Sequence, residues 1–461
     1  LNIPIQYMED ESQYWEKLLN HIGKSNSTMF DLSRFVEKHF NRMTISISDV
    51  LELWASDSTD EFGRWLLKYY ALNFKAKELP EYLRIILEET NDFQIGNSLF
   101  VSVAERIFYA TPAERERYFG PRKKLMYDLR SEFRTLTPPE HQDWVKEQII
   151  TIAQNDDSLA QAKRYCTSTY DFEDELFLGW YVLRGQKDFG LSHIQEYFPE
   201  LYGYLTPFET LSIKQSQSWA SEYFNQFRAA KIKDTITDTL ADLLKQRNVS
   251  AESFYDWYFG FEESHGILAD IVTTKKFPVD KVYWVDGLGA EFIPYILYLL
   301  DQSNSGYDAV LTQVARTNIP SNTHLNSFEV DNKKIFKKEA LDELAHDGHY
   351  QKYLTLIKEL KTVRQIIEDI LNDNKVGKHT IAIVSDHGLS AMSRNCESLK
   401  LDSNTKHEGR YVLLDSDSGL EHDVNFVVHT NEYDGKKYKV ALCHASLGKK
   451  PTHEVHGGAT P

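Results

Sequence analysis

Two short apolar runs, Val282-Tyr283-Trp284-Val285 and Thr380 to Ser385, have strand character, and each leads into an acid beside a glycine: Asp286-Gly287 and Asp386-His387-Gly388. In open α/β sheets ligands bind beyond the carboxyl ends of the strands, so both acids are expected on the ligand side. A carboxylate and an imidazole leaving one tight turn can bind one divalent ion. Between the two runs, Leu341-Asp342-Glu343-Leu344-Ala345-His346 sets Asp342 and His346 four apart, on one face of a helix. That is the spacing at which paired side chains hold a metal, and His349 is an open alternative to His346. Near the end, His453-Glu454-Val455-His456-Gly457-Gly458 offers His456 as a late ligand from a loop whose glycines permit close approach. In Asn318 to Asn326, Ser321 or Thr323 is a candidate nucleophile, its hydroxyl activated by a metal.

Positioning these residues takes an α/β arrangement. Strands are expected at Val282 to Val285, Ala309 to Val314, Thr380 to Val384, Tyr411 to Leu414, Asn425 to Val428 and Lys439 to Leu442. Helices are expected at Ala290 to Leu300 and, as one or two, at Glu339 to Leu371, and this alternation indicates a largely parallel sheet. Before it, from Leu1 to about Ala269, apolar residues recur at helical spacing, as in Val50-Leu51, Leu53-Trp54, Phe62, Trp65-Leu66 and Tyr69-Tyr70. Breaks at Thr111-Pro112-Ala113-Glu114, Thr137-Pro138-Pro139-Glu140 and Asn155-Asp156-Asp157-Ser158 separate the helices. Trp219, Tyr223 and Phe227 fall at i, i+4, i+8, a core-facing stripe rather than a base-stacking surface. The boundary is placed near residue 275. An all-helical region, 1–275, then serves as interaction scaffold, and an α/β domain occupies 276–461.

The bulk numbers narrow the classes. Of 461 residues, 41% are hydrophobic and 13% aromatic, which excludes a disordered chain, and the length suits more than one domain. A net charge of −17 disfavours a broad nucleic-acid-wrapping surface. The basic run Lys333-Lys334-Ile335-Phe336-Lys337-Lys338 reads as a solvated helix end, with a local guide for one phosphate as the other reading. Three scattered cysteines imply no disulfide framework, and the longest apolar-rich stretch, Phe292 to Leu300, is too short to span a membrane, so a cytoplasmic protein is expected. Opening on Leu1 and stopping at Pro461, the chain is expected to be a piece of a longer polypeptide, truncated within its last domain.

Five pieces taken in order resemble the PglZ domain, a branch of the alkaline phosphatase superfamily found in bacterial and archaeal phage-defence systems of the BREX type. They are Trp284-Val285-Asp286-Gly287-Leu288-Gly289, Ile319-Pro320-Ser321-Asn322-Thr323, Asp342 through His346, Val384-Ser385-Asp386-His387-Gly388 and His456-Gly457-Gly458-Ala459-Thr460-Pro461, and the likeness covers about 280–461. The resemblance implies an alkaline-phosphatase-like, mostly parallel sheet flanked by helices. It implies two divalent ions, zinc or manganese, one on Asp286, Asp386 and His387 and the other on Asp342, His346 and His456. Thr323 falls on the nucleophile position. The implied activity is a phosphodiesterase or nuclease, with nucleic acid or nucleotide as substrate and other defence proteins as partners. A phosphomonoesterase or phosphomutase, and a catalytically inactive scaffold of the defence complex, are the alternatives.

Overall fold

The structure, a computed structural model, describes residues 11–23, 30–79, 81–94, 139–154, 166, 170–184, 194–195, 198–208, 217–273, 278–303, 305–330, 334–377, 379–401, 409–414 and 422–460. The breaks expected at 111–114, 137–138 and 155–158, together with Lys333 and Pro461, lie outside them. Two compact units divide the chain, Leu1–Phe177 and Leu178–Pro461.

In the first unit, helices α1 (Ser12–Gly23), α2 (Leu32–His39), α3 (Ile47–Ala55) and α5 (Glu81–Glu89) pack around α4 (Glu61–Phe74). A helix α6 follows at Pro139–Gln154. The start of α3 is a capping box in which Asp49 N donates to Ser46 Oγ and Ser46 N to Asp49 Oδ2, at 3.1 and 2.8 Å. Because α4 is buried on every side from Phe62 to Ala71, its charges need internal partners. Lys68 Nζ lies 3.0 Å from Glu11 Oε1, and the Trp65 indole and Tyr69 hydroxyl donate to Glu11 Oε2. Arg64 donates to the carbonyls of Trp54, Ser56 and Phe93.

Helix α7 (Asp171–Arg184) contains the division. In the second unit come α8 (Pro199–Leu205), α9 (Trp219–Lys233), α10 (Asp238–Lys245), α11 (Ala251–Tyr258) and α12 (Ser264–Thr273). Strand β1 (Lys281–Val285), α13 (Ile293–Gln302), the short α14 (Thr323–Asn326), β2 (Ile335–Lys338), α15 (Ala340–His346), α16 (Leu354–Asp373) and β3 (Ile381–Val384) follow. The helices before residue 275 share a core with this α/β part: Tyr223 and Phe227 of α9 cluster with Val314 and Met392, and α8 packs on α13 and α16.

The strands form a smaller sheet than the sequence suggests. Its order is β2-β1-β3, all parallel, with Val282 opposite Ile335 and Ala382. Ala309 to Val314 is not a strand. Val310 and Leu311 are exposed, and a β-type sequence without a neighbouring edge to pair has nothing to hold it extended in a ladder. The late strands β5 (Tyr411–Leu413), β6 (Phe426–Thr430) and β7 (Lys437–Ala441) make a separate antiparallel sheet, β5-β7-β6. A tight turn joins β6 to β7, where Asn431 Oδ1 accepts from Tyr433 N and Asp434 N, and so short a connection serves only antiparallel neighbours. Two-residue strands β4 (Ser398–Leu399) and β8 (Ser446–Leu447) pair apart from both. The fold is mixed α/β; among the described residues the large mostly parallel sheet is absent. Within the basic run, expected as a helix end, Ile335–Lys338 form the strand β2.

His444 links these parts. Its ring stacks on Phe227 at 5.3 Å and on Tyr223 at 6.1 Å, Tyr223 Oη meets Nε2 at 2.8 Å, and Ser390 Oγ meets Nδ1 at 2.7 Å. Burial, and then the charge of Arg410, push its pKa well below the ordinary 6.5. The unfolded chain therefore takes up a proton at this residue below about pH 6.5 that the folded protein refuses. The contribution is full above that pH and is lost as acid is added, by about 1.4 kcal/mol per pH unit. Urea unfolding between pH 6.5 and 5 should show a shallower acid loss in His444→Gln by that slope; parallel pH profiles would refute it.

Candidate metal centre

The two acid-glycine turns leave β1 and β3 on the same side of the sheet, because the strands are parallel and in register. Gly287 has φ +76°, and a Cβ there would sit 3.4 Å from the Asp342 Cβ. A Cβ on Gly388 would stand 3.1 Å from Gly289 Cα, so the turns meet through glycines and Asp286 comes close to Asp386 and His387. The late loop is tied to both neighbours: Ser390 N donates to Val455 O at 2.9 Å, Gly457 N to Ser321 O at 2.9 Å, and Ser321 Oγ to Gly458 O at 2.6 Å. These bonds carry His456 over the site and fix the loop that carries Thr323.

The side chains converge. His387 Nε2 lies 3.2 Å from Asp286 Oδ1, 3.5 Å from Asp386 Oδ2 and 4.0 Å from Asp342 Oδ1. Thr323 Oγ1 is 3.1 Å from His387 Nε2 and 3.3 Å from Asp286 Oδ1. Two trios have ligand atoms within 4.8 Å of one another: Asp286, Asp386 and His387, and Asp342, His387 and His456. His387 belongs to both. His346 stands at the rim, its Nε2 3.5 Å from Asp342 Oδ2 and 3.2 Å from His456 Nε2. His349 is exposed, and none of the site's hydrogen bonds or ion pairs includes it.

No family model, curated protein or solved structure matches the chain.

The residues suit a cation on their own chemistry. Both oxygens of Asp386, with Asp342 Oδ1 and His456 Nδ1, are buried without a hydrogen bond of ordinary geometry. Such groups otherwise cost several kcal/mol each to bury. Burial raises the Asp386 carboxyl, and the Asp286 charge raises it further against the opposing pull of His387. At Asp286 burial also acts upward, but hydrogen bonds from His387 and Lys337 outweigh it and hold the carboxyl well below its usual range. Burial and then the His387 charge lower His456 to about 4. A divalent ion requires deprotonated imidazoles and ionised carboxylates, the forms favoured at His456 and Asp286. Asp386 and His387, the latter raised against its burial by the Asp286 hydrogen bond and the Asp386 charge, would give up protons to bind one.

Two contributors escaped the sequence reading. Lys337, from β2, lies 2.8 Å from Asp286 Oδ2. Its signal was the basic run, in which period-2 alternation sets Ile335 and Lys337 on one face. The other is Glu454, which turns away from the site into a buried ion cluster with Lys231 and Glu359.

Proposed function

We propose that the chain is a metal-dependent phosphoesterase of the phosphodiesterase or nuclease type, with Thr323 as nucleophile. The observation that carries this reading is the Thr323 hydroxyl within 3.3 Å of both Asp286 Oδ1 and His387 Nε2, beside two ligand trios that share His387. Asp286, Asp386 and His387 would hold one divalent ion, and Asp342 and His456 the other, with His346 completing it from the rim. Zinc or manganese bound there supplies Lewis acidity to the phosphoryl oxygens and lowers the pKa of the threonine hydroxyl. Thr323 Oγ1 bonds to phosphorus as the ester P–O bond breaks and the alcohol leaves. Water then cleaves the phosphothreonine and restores the hydroxyl.

A diester is favoured over a monoester by the fate of the nearby arginines. Arg316 pairs with Glu263, Arg394 with Asp234, and Arg410 donates to Ala445 O and Thr460 Oγ1. None is left to clamp the extra charge of a monoester. The PglZ-like order of motifs adds the context: an intracellular phage-defence system, with a nucleic acid or nucleotide as substrate and other defence proteins as partners. No helix among the described residues is long and apolar enough to cross a membrane.

Hydrolysis of bis-p-nitrophenyl phosphate with added zinc or manganese tests the reading. Asp286→Ala should lower the rate on the order of 10³-fold, since it removes one ligand and an oxygen next to the nucleophile. Equal rates in variant and wild type would exclude the proposal, and a faster monoester than diester reaction would move it to a phosphomonoesterase.

A further inference from the structure

Asp286 presents its two oxygens to different surroundings. Oδ1 faces the site, 3.2 Å from His387 Nε2 and 3.3 Å from Thr323 Oγ1. Oδ2 faces Lys337 Nζ at 2.8 Å. The lysine is pinned in turn: Glu339 Oε1 lies 2.7 Å from Nζ, and Nζ sits 4.7 Å from the centre of the Trp284 ring. Trp284 and Lys337 are register partners across β1 and β2, so the sheet itself sets this geometry. Lys337 is about one-third exposed, with 32% of its side chain accessible.

We propose that Lys337 is a positioning residue that keeps Asp286 Oδ2 away from the metal, so that Asp286 offers a divalent ion Oδ1 alone. The inference rests on the phosphoesterase reading above. An ammonium ion on the outer oxygen does two things. It blocks two-oxygen binding by the carboxylate, which leaves room around an ion for Thr323 and a phosphoryl oxygen. It also draws negative charge away from Oδ1, which weakens the hold on a cation and preserves that cation's own pull on substrate oxygens.

The sign of the effect separates this role from plain structural support. Removing a lysine that merely braced the site would loosen metal binding. Removing one that competes with the metal for Asp286 should tighten it, because a positive charge a few ångströms from the ion is gone and a second carboxylate oxygen is freed.

The test is calorimetric titration of the full chain, stripped with chelator, with zinc or manganese alone. Lys337→Met should bind its tighter ion about tenfold more strongly than wild type, a modest figure for two like charges because the lysine is partly solvated. Lys337→Arg, which restores the charge and the hydrogen bond, should return to within about threefold of wild type. Circular dichroism spectra of both variants should show the wild-type fold, since Lys337 is about one-third exposed on a short strand. Equal or weaker binding by Lys337→Met overturns the inference and leaves the phosphoesterase reading standing. Failure of the wild-type chain to bind either ion removes that reading, and the inference with it.

Discussion

Replacing Thr323 by alanine should abolish phosphodiester turnover while leaving divalent-ion binding near that of the wild type. The hydroxyl stands 3.1 Å from His387 Nε2 and 3.3 Å from Asp286 Oδ1, while the carboxylates and imidazoles of both ligand trios belong to other residues. The variant therefore loses the attacking oxygen and keeps the ligands. With bis-p-nitrophenyl phosphate the expected fall in kcat is on the order of 10⁴- to 10⁶-fold, the size of loss when a nucleophile is removed and the remaining groups still bind and polarise the substrate. Thr323→Ser keeps an oxygen on the same short helix, whose start is capped by Asn322 Oδ1 accepting from Leu325 N at 2.9 Å, and should retain a measurable share of the rate. Acid-quenched wild-type protein should carry a phosphoryl group on the peptide containing Thr323. A Thr323→Ala rate above a tenth of wild type, or a phosphoryl group elsewhere, would show that another oxygen attacks.

What the sequence discloses about this site, and what it hides, follows from the range of each signal. The runs that become β1 and β3 are short, apolar and followed at once by Asp-Gly and Asp-His-Gly, so a local pattern was enough to place Asp286, Asp386 and His387 at one end of a sheet. The four-residue spacing of Asp342 and His346 was likewise readable, because α15 holds both within a single helix. That His387 would lie near all three carboxylates was not readable, since spacing along the chain says nothing about which acids a ring will face. Lys337 was hidden for a different reason: in the run from Lys334 to Lys338 charges outnumber apolar residues, and β2 is held by its neighbour β1 rather than by its own periodicity. Ala309 to Val314 shows the converse. A strand-like run needs an open edge to pair with, and here none accepts it. The direction of the late strands was legible in retrospect from the turn residues Asn431 to Gly435, where Gly435 has φ +69°.

The largest loss of stability should come from Lys231→Met, at a residue that touches no expected ligand. Lys231, on α9, is fully buried, with Nζ 2.7 Å from Glu359 Oε2 on α16 and 3.1 Å from Glu454 Oε1 in the late loop. Burial, and then the Glu454 charge, push the Glu359 carboxyl well above its usual range, and two buried carboxyl groups share the one cation. Without the ammonium ion, the remaining negative charge has no partner in the low-dielectric interior, and breaking a buried pair from one side costs about 3–5 kcal/mol. Urea unfolding should register that loss. Exchanging all three, as Lys231→Met with Glu359→Gln and Glu454→Gln, should recover most of it, because neutral groups need no counter-charge. The consequence reaches the site through the chain: Glu454 is two residues from His456, and its ion pair with Lys231 adds to the Ser321 and Ser390 hydrogen bonds that hold that loop. The single variant should therefore also bind the ion of Asp342 and His456 less tightly, while the Asp286, Asp386 and His387 trio, held by strand ends, keeps its affinity. A loss under about 1 kcal/mol would mean that the loop is held by the Ser321 and Ser390 hydrogen bonds alone and that the ion cluster is incidental to it.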